Sequence, residues 1–250
     1  MRFSEFLERY VYVRTCVGCG ERMGYEYSSE AFCDACRVAW ERAKAMSCPA
    51  CFAAMSECRC IPKSLSSAGV IEYRKLVAYI GENAAHPENK LLYFLKRKKS
   101  KRVALFVANQ LIYKLDGMLS ANGLSRESVV IAYIPRSRRS YSKFGVDQSE
   151  LVCEILSEVS GIECLPLIKR KKNGRKDQKT LARNKRMANA ARLFEIDEGY
   201  MPSLCGKSVI LFDDIVTSGA SMAASARLLR HVGVEKIYGL SIAYSVKQKR

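Results

Sequence analysis

Three stretches of this chain are apolar without alternation: Val129-Val-Ile-Ala-Tyr-Ile134, Val209-Ile-Leu-Phe212 and the run from Ile237 to Val246. Strands covered on both faces of a parallel sheet read this way. Helical spacing separates them. Pro87 opens a segment whose apolar face is Leu91, Leu92, Phe94 and Leu95, and a second helix is expected from Val103 to Leu119. Val152, Ile155, Leu156 and Val159 form a third stripe, with Asp147 or Ser149 as cap and Gly161 as stop. Ala223, Ala226, Leu229 and Val232 form a fourth, in a helix from Met222 to His231 that Gly233 ends. A short strand is expected at Cys164–Ile168, and a link followed by a hairpin or ribbon in residues 61–82. This alternation predicts an α/β fold: an open, mainly parallel sheet of about five strands with helices on both faces.

The first quarter of the chain follows no such period. Of the 11 cysteines, eight fall before residue 61, as Cys16-x2-Cys19, Cys33-x2-Cys36, Cys48-x2-Cys51 and Cys58-x-Cys60. A close cysteine pair in a tight turn aims two thiolates at one tetrahedral metal, and two pairs close a four-thiolate site. Two structural zinc sites are therefore expected. Cys16, Cys19, Cys33 and Cys36 on one and Cys48, Cys51, Cys58 and Cys60 on the other is the simplest pairing, with an interleaved pairing also open. With every position filled by thiolate, such sites have no room for substrate. The chain thus divides into a zinc-ribbon domain, 1–62, and an α/β domain, 63–250. Cys153, Cys164 and Cys205 are scattered and read as small buried apolar residues. Trp40 reads as packing on the ribbon, and the two histidines, His86 and His231, lie outside the candidate site motifs.

Candidate chemistry sits where two of the strands are expected to end. Asp213 and Asp214 follow the run 209–212, and then Thr217-Ser218-Gly219-Ala220-Ser221 opens a helix. Carboxylates accept hydrogen bonds from hydroxyls, and a small-residue turn at a helix N-terminus suits a phosphate. A phosphorylated sugar meets both requirements. The run 129–134 likewise delivers Arg136, Ser137 and Arg138.

VILFDDIVTSGAS resembles the phosphoribosyl-pyrophosphate (PRPP) motif of type I phosphoribosyltransferases. The resemblance implies that Asp213 and Asp214 hold the ribose hydroxyls and that residues 217–221 wrap the 5′-phosphate. It also implies that the loop with Arg136, Ser137 and Arg138 binds pyrophosphate, with Mg2+ accompanying PRPP. The segment Gln178-x2-Leu181-x4-Arg186-x2-Asn189-x4-Phe194, taken with the cysteine pairs, is similar to the competence protein F (ComF, GntX-like) family. That family joins a zinc ribbon to a phosphoribosyltransferase-like domain. It implies a role with single-stranded DNA in uptake and natural transformation, and with a DNA-uptake helicase or channel component as partner; an active phosphoribosyltransferase is the alternative. The family's Arg-Gly-Phe-Asn-Gln is here Phe144-Gly145-Val146-Asp147-Gln148, so an arginine is missing, and Lys143 and Arg139 are the nearby cations that could replace it.

Charge adds to the picture. The formal net charge of +17 exceeds what a small anionic substrate needs and points to a polyanion. Two four-thiolate zinc centres at about −2 each would leave it at roughly +13. Six of the seven residues from Lys96 to Arg102 are basic, Lys98 and Lys99 among them. From Lys169 to Arg186 ten of eighteen are basic, including Arg170, Lys171, Lys172, Arg175 and Lys176. These eight are the candidate nucleic-acid contacts, and the second run also reads as a mobile loop that closes over a reacting centre. No apolar run approaches the ~18 residues that span a bilayer. Glu5, Glu8 and Arg9 interrupt the N-terminus, so a cytoplasmic location is expected.

Overall fold

The computed structural model describes residues 14–27, 29–81, 86–171 and 193–246. Its elements in chain order are β1 (Arg14–Thr15), β2 (Arg22–Met23), α1 (Asp34–Ala45), α2 (Lys63–Ser66), β3 (Val70–Tyr79), α3 (Pro87–Arg97), α4 (Lys101–Ala121) and β4 (Val129–Tyr133). They continue with α5 (Arg138–Phe144), α6 (Gln148–Ser160), β5 (Ile168–Arg170), β6 (Phe194–Ile196), β7 (Ser208–Val216), α7 (Ala220–His231) and β8 (Ile237–Ser245).

The sheet has four strands in the order β3-β8-β7-β4, every neighbouring pair parallel. Helices cover both faces, and the apolar runs explain why both faces need covering. Along β7, Ile210 and Phe212 pack into one core with Leu111 and Leu115 of α4 and Val152 and Leu156 of α6. Val209 and Leu211 pack into the other, with Leu65 of α2 and Ala223 and Leu229 of α7. The alternation is the ordinary pleat of a strand buried on two sides.

The fifth strand is nearly lost. Cys164 makes a single parallel bridge to Ile131, and the chain then turns away. Pro166, two residues on, has no N–H to extend a ladder. Ile168–Arg170 instead pairs antiparallel with β6.

Among the described residues of the 61–82 segment there is no hairpin. They form α2 and then one ten-residue strand at the sheet edge. Its apolar pattern is obscured in sequence by Arg74 and Lys75, both buried. Arg74 is paired with Glu72, and the Lys75 ammonium donates to the carbonyls of Cys58 (3.1 Å) and Cys60 (3.2 Å). A buried charge is tolerated only with such partners.

The cysteine-rich region shares core with the α/β domain. Trp40 of α1 is fully buried and its ring lies 5.7 Å from Phe32 and 6.0 Å from Phe106 of α4. Cys48 and Cys58 pack with Ala78 of β3. Two of the scattered cysteines differ from expectation: Cys153 is buried, but Cys164 is partly exposed and Cys205 exposed.

Candidate functional site

Two cysteine clusters form, in the sequential pairing. The sulfurs of Cys16, Cys19, Cys33 and Cys36 lie within 4.8 Å of one another, as do those of Cys48, Cys51, Cys58 and Cys60. Cys19 Sγ and Cys33 Sγ are 3.7 Å apart, Cys51 Sγ and Cys58 Sγ 3.6 Å. With metal–sulfur bonds of ~2.3 Å the edge of a tetrahedron is about 3.8 Å. Either cluster could therefore hold a structural metal ion, consistent with zinc.

Backbone N–H groups prepare the thiolates. Gly18 N and Cys33 N each donate to Cys16 Sγ at 3.3 Å. Burial opposes the Cys16 thiolate, but those donors, with the N–H of Cys19, bring its pKa down to about 7. Burial and the neighbouring thiols of Cys51 and Cys58 push Cys60 up to about 12. A divalent cation would overcome that cost by deprotonating its ligands outright. Gly18 is obligatory for a further reason: a Cβ there would lie 2.5 Å from Cys36 Sγ.

The second cluster of chemistry lies at the carboxyl edge of the sheet, the edge at which open α/β proteins bind ligands. β7 outruns the strand expected from sequence. It pairs with β4 only as far as Phe212, while its pairing with β8 continues to Val216, so Asp213 and Asp214 sit on β7 just past the end of β4.

The two carboxylates have different surroundings. Asp214 Oδ2 accepts from Gln148 Nε2 at 2.8 Å and lies 3.4 Å from Lys96 Nζ, while Oδ1 accepts from Ile215 N at 2.8 Å. Asp213 is partly buried. Its pKa is driven well above the usual carboxylate range, by burial first and by the adjacent Asp214 charge second. On its far side lies Tyr73, whose hydroxyl shares a 2.6 Å hydrogen bond with Ser241 Oγ.

The loop after β7 is built for close approach. Gly219 has φ of 72°, and a Cβ there would meet Ser64 Oγ at 2.5 Å and Leu65 at 3.2 Å. Ser64 Oγ donates to Ser218 O at 2.7 Å, so α2 braces the loop from below. Ala220 N donates to Ser218 Oγ, and α7 begins at Ala220. Thr217 is exposed, Ser218 partly buried and Ser221 in the first turn of α7.

The loop after β4 is tied to its neighbours. Arg136 N donates to Asp147 Oδ2 at 2.6 Å, and its guanidinium donates to Lys96 O and Val146 O, each at 2.8 Å. Asp147 also caps α6, accepting from Ser149 N and Glu150 N. Phe144 is ringed by cations: Arg136, Lys143 and Arg97 lie 4.9, 5.3 and 5.7 Å from its ring centre. Ser137 precedes α5, and Arg138 is its first residue.

Of the basic candidates, Lys98 and Lys99 are exposed just beyond α3. Lys169 is exposed and pairs with Asp197, and Lys171 is exposed. Arg170 donates to Pro135 O at 3.1 Å and stacks on Phe194, so it braces the β4 loop. Lys172, Arg175 and Lys176 lie outside the described residues, as does most of the Gln178–Phe194 segment.

Lys96, Ser64 and Tyr73 are the site residues that sequence reading does not single out. Lys96 hides in a run of like residues, and Ser64 reaches the loop across a sequence separation of 154. Gln148 is visible only as a retained residue in the 144–148 segment. No protein-family model matches this chain, and no curated protein matches it.

Proposed function

We propose that this protein binds PRPP with Mg2+ through Asp213, Asp214 and the 217–221 loop, in the manner of competence protein F relatives. The observation that carries the reading is the order along β7. An acid pair stands at the carboxyl edge, and five residues after Asp214 comes the left-handed Gly219, in a loop braced from below by Ser64 and running into a helix N-terminus. Two acids suit a vicinal diol, and a small-residue loop running into a helix start suits a phosphate. Asp214, fixed by Gln148 and Lys96, serves as the constant acceptor, while Asp213 gains a partner when ligand arrives. Asp213 and Asp214 are the carboxylates that would be available to Mg2+, which would offset the charge of the pyrophosphate. Arg136 and the cations around Phe144 flank the expected pyrophosphate position. The tetrathiolate clusters take zinc in a structural role.

Thermal unfolding with and without PRPP and Mg2+ tests the reading. A ligand at 100 times its Kd stabilises the native state by about 2.7 kcal/mol, and ribose 5-phosphate should give less. Absence of any shift would overturn it.

A second partner, single-stranded DNA, is favoured by placement of charge. Arg136 and Arg170 tie the β4 loop to the end of α3 and to β5, so the exposed Lys98 and Lys99 beyond α3 and Lys169 and Lys171 at β5 belong to segments joined through that loop. Such a surface follows a phosphate backbone. Replacing those four lysines with serine should flatten the salt dependence of DNA binding by about 0.7 for each phosphate no longer neutralised, and an unchanged slope would dismiss the face.

A further inference from the structure

We infer that the first cysteine knuckle forms one wall of a binding pocket for a planar aromatic acid, placed beside the acid pair as the acceptor site. A cavity of about 680 Å3 lies between Val17 of that knuckle, Tyr79 at the end of β3, Tyr93 and Phe94 of α3, Lys96, and Ile215 of β7. That volume lies within the range of small-molecule sites, which are mostly apolar with a few placed polar groups. Three aromatic rings make its walls, which suits a flat ring. Arg97 holds the mouth, its guanidinium 3.8 Å from the Tyr93 ring centre. Lys96, Arg97 and Lys98 line it, and among the described residues no carboxylate does, so the charge favours an anionic edge on the occupant.

Two links join this cavity to its surroundings. Lys96 lines it and also lies 3.4 Å from Asp214 Oδ2, while Ile215 follows Asp214 directly, so the cavity adjoins the proposed ribose site. Lys90 donates to Gly18 O at 2.6 Å, which fixes α3 to the knuckle and with it the two opposing walls. The knuckle carries two of the four sulfurs of the first cluster, and a metal bound there would fix Val17 more firmly in that position. Metal in the first cluster therefore controls this pocket.

The acceptor role rests on the PRPP reading; the pocket's affinity for an aromatic acid does not. In the transfer, a lone pair on the acceptor's ring nitrogen forms the bond to C1 of the ribose. The C1–O bond breaks, its electron pair leaves on pyrophosphate, and the nitrogen's proton, where it has one, passes to water.

Ligand-observed NMR with 2-naphthoate on the metal-loaded full chain tests the pocket. Binding is expected, with naphthalene-2-carboxamide and cyclohexanecarboxylate each at least about fivefold weaker. Tyr93→Ala, on an exposed position of α3, should weaken it about tenfold, and Val17→Trp should fill the cavity and abolish it with two metal equivalents still bound. Cys19→Ser, which opens the first cluster alone, should abolish it while the second metal stays. No naphthoate binding alongside a normal PRPP response would sink the pocket and leave the PRPP reading intact. Naphthoate binding without a PRPP response would do the reverse. Equal binding in Val17→Trp would place the aromatic acid elsewhere and overturn the inference.

Discussion

The two cysteine knuckles are nearly superposable in their hydrogen bonding and are used differently. In the first, Gly20 N donates to Cys16 O at 2.9 Å and Cys16 N to Glu21 O at 2.8 Å; in the second, Phe52 N donates to Cys48 O at 2.9 Å and Cys48 N to Ala53 O at 2.8 Å. The first closes over α3 through the Lys90–Gly18 hydrogen bond, and its Val17 lines the same cavity as Ile215. The second packs on the sheet edge, where the carbonyls of its cluster partners Cys58 and Cys60 receive the buried Lys75 ammonium. One motif thus walls a cavity and the other seals an edge strand. Edge strands need such covering. A cysteine cluster able to hold a metal can provide it at small chain length.

Breaking the second cluster should have the larger effect. Cys58→Ala removes a buried ligand and one metal equivalent, and it leaves Lys75 facing a loosened loop. Its melting temperature should fall by roughly 10 °C, against about half of that for Cys19→Ser, whose residue is exposed. Calorimetry with metal quantification checks both. A larger loss from Cys19→Ser would invert the comparison.

Lys75→Met sharpens it further. This change deletes two buried hydrogen bonds and orphans two carbonyls, at a cost of about 2 kcal/mol. Metal should leave the second cluster faster, while the first releases at its usual rate. Chelator-driven release with a chromogenic zinc indicator would resolve two phases, only one of them changed.

The acid pair gives a contrasting outcome, since there a substitution should stabilise. Asp213 holds its proton more tightly folded than unfolded, so its contribution is most favourable below the unfolded pKa of 3.8 and is lost as pH rises through the folded value. At pH 7, Asp213→Asn should raise the melting temperature of the ligand-free protein by a few degrees. The gain should vanish near pH 4. Thermal scans across that range check the sign.

The smallest effect concerns a backbone difference between the knuckles. Phe52 has φ of 60° and is 80% exposed where the first knuckle has Gly20 at 82°. A left-handed Phe costs about 1–2 kcal/mol, so Phe52→Gly should strengthen the second site by up to that amount, and Gly20→Ala should weaken the first by a similar one. Metal competition titrations would show both.

Much of this molecule is legible in its sequence, for physical reasons that differ by region. The strands β4, β7 and β8 are apolar without interruption, because both faces are covered, and they stand out at once. The cysteines are recognisable because metal geometry demands close pairs. Their pairing is not, since that depends on how α1 carries Cys36 back toward Cys16. β3 escapes a sequence reading because Arg74 and Lys75 break its pattern, and each is buried only through partners distant or opposed in charge. The acid pair and its loop are legible as a local motif. Lys96 and Ser64 are not, because tertiary packing alone brings them to Asp214 and Ser218.

The central claim is that Asp213, Asp214 and the 217–221 loop form a PRPP site, and titration calorimetry with Mg2+ tests it most directly. Wild-type protein should bind one equivalent, and the Asp213→Asn, Asp214→Asn double variant, folded and with both metals in place, should give no heat. Undiminished binding by the double variant would contradict the account.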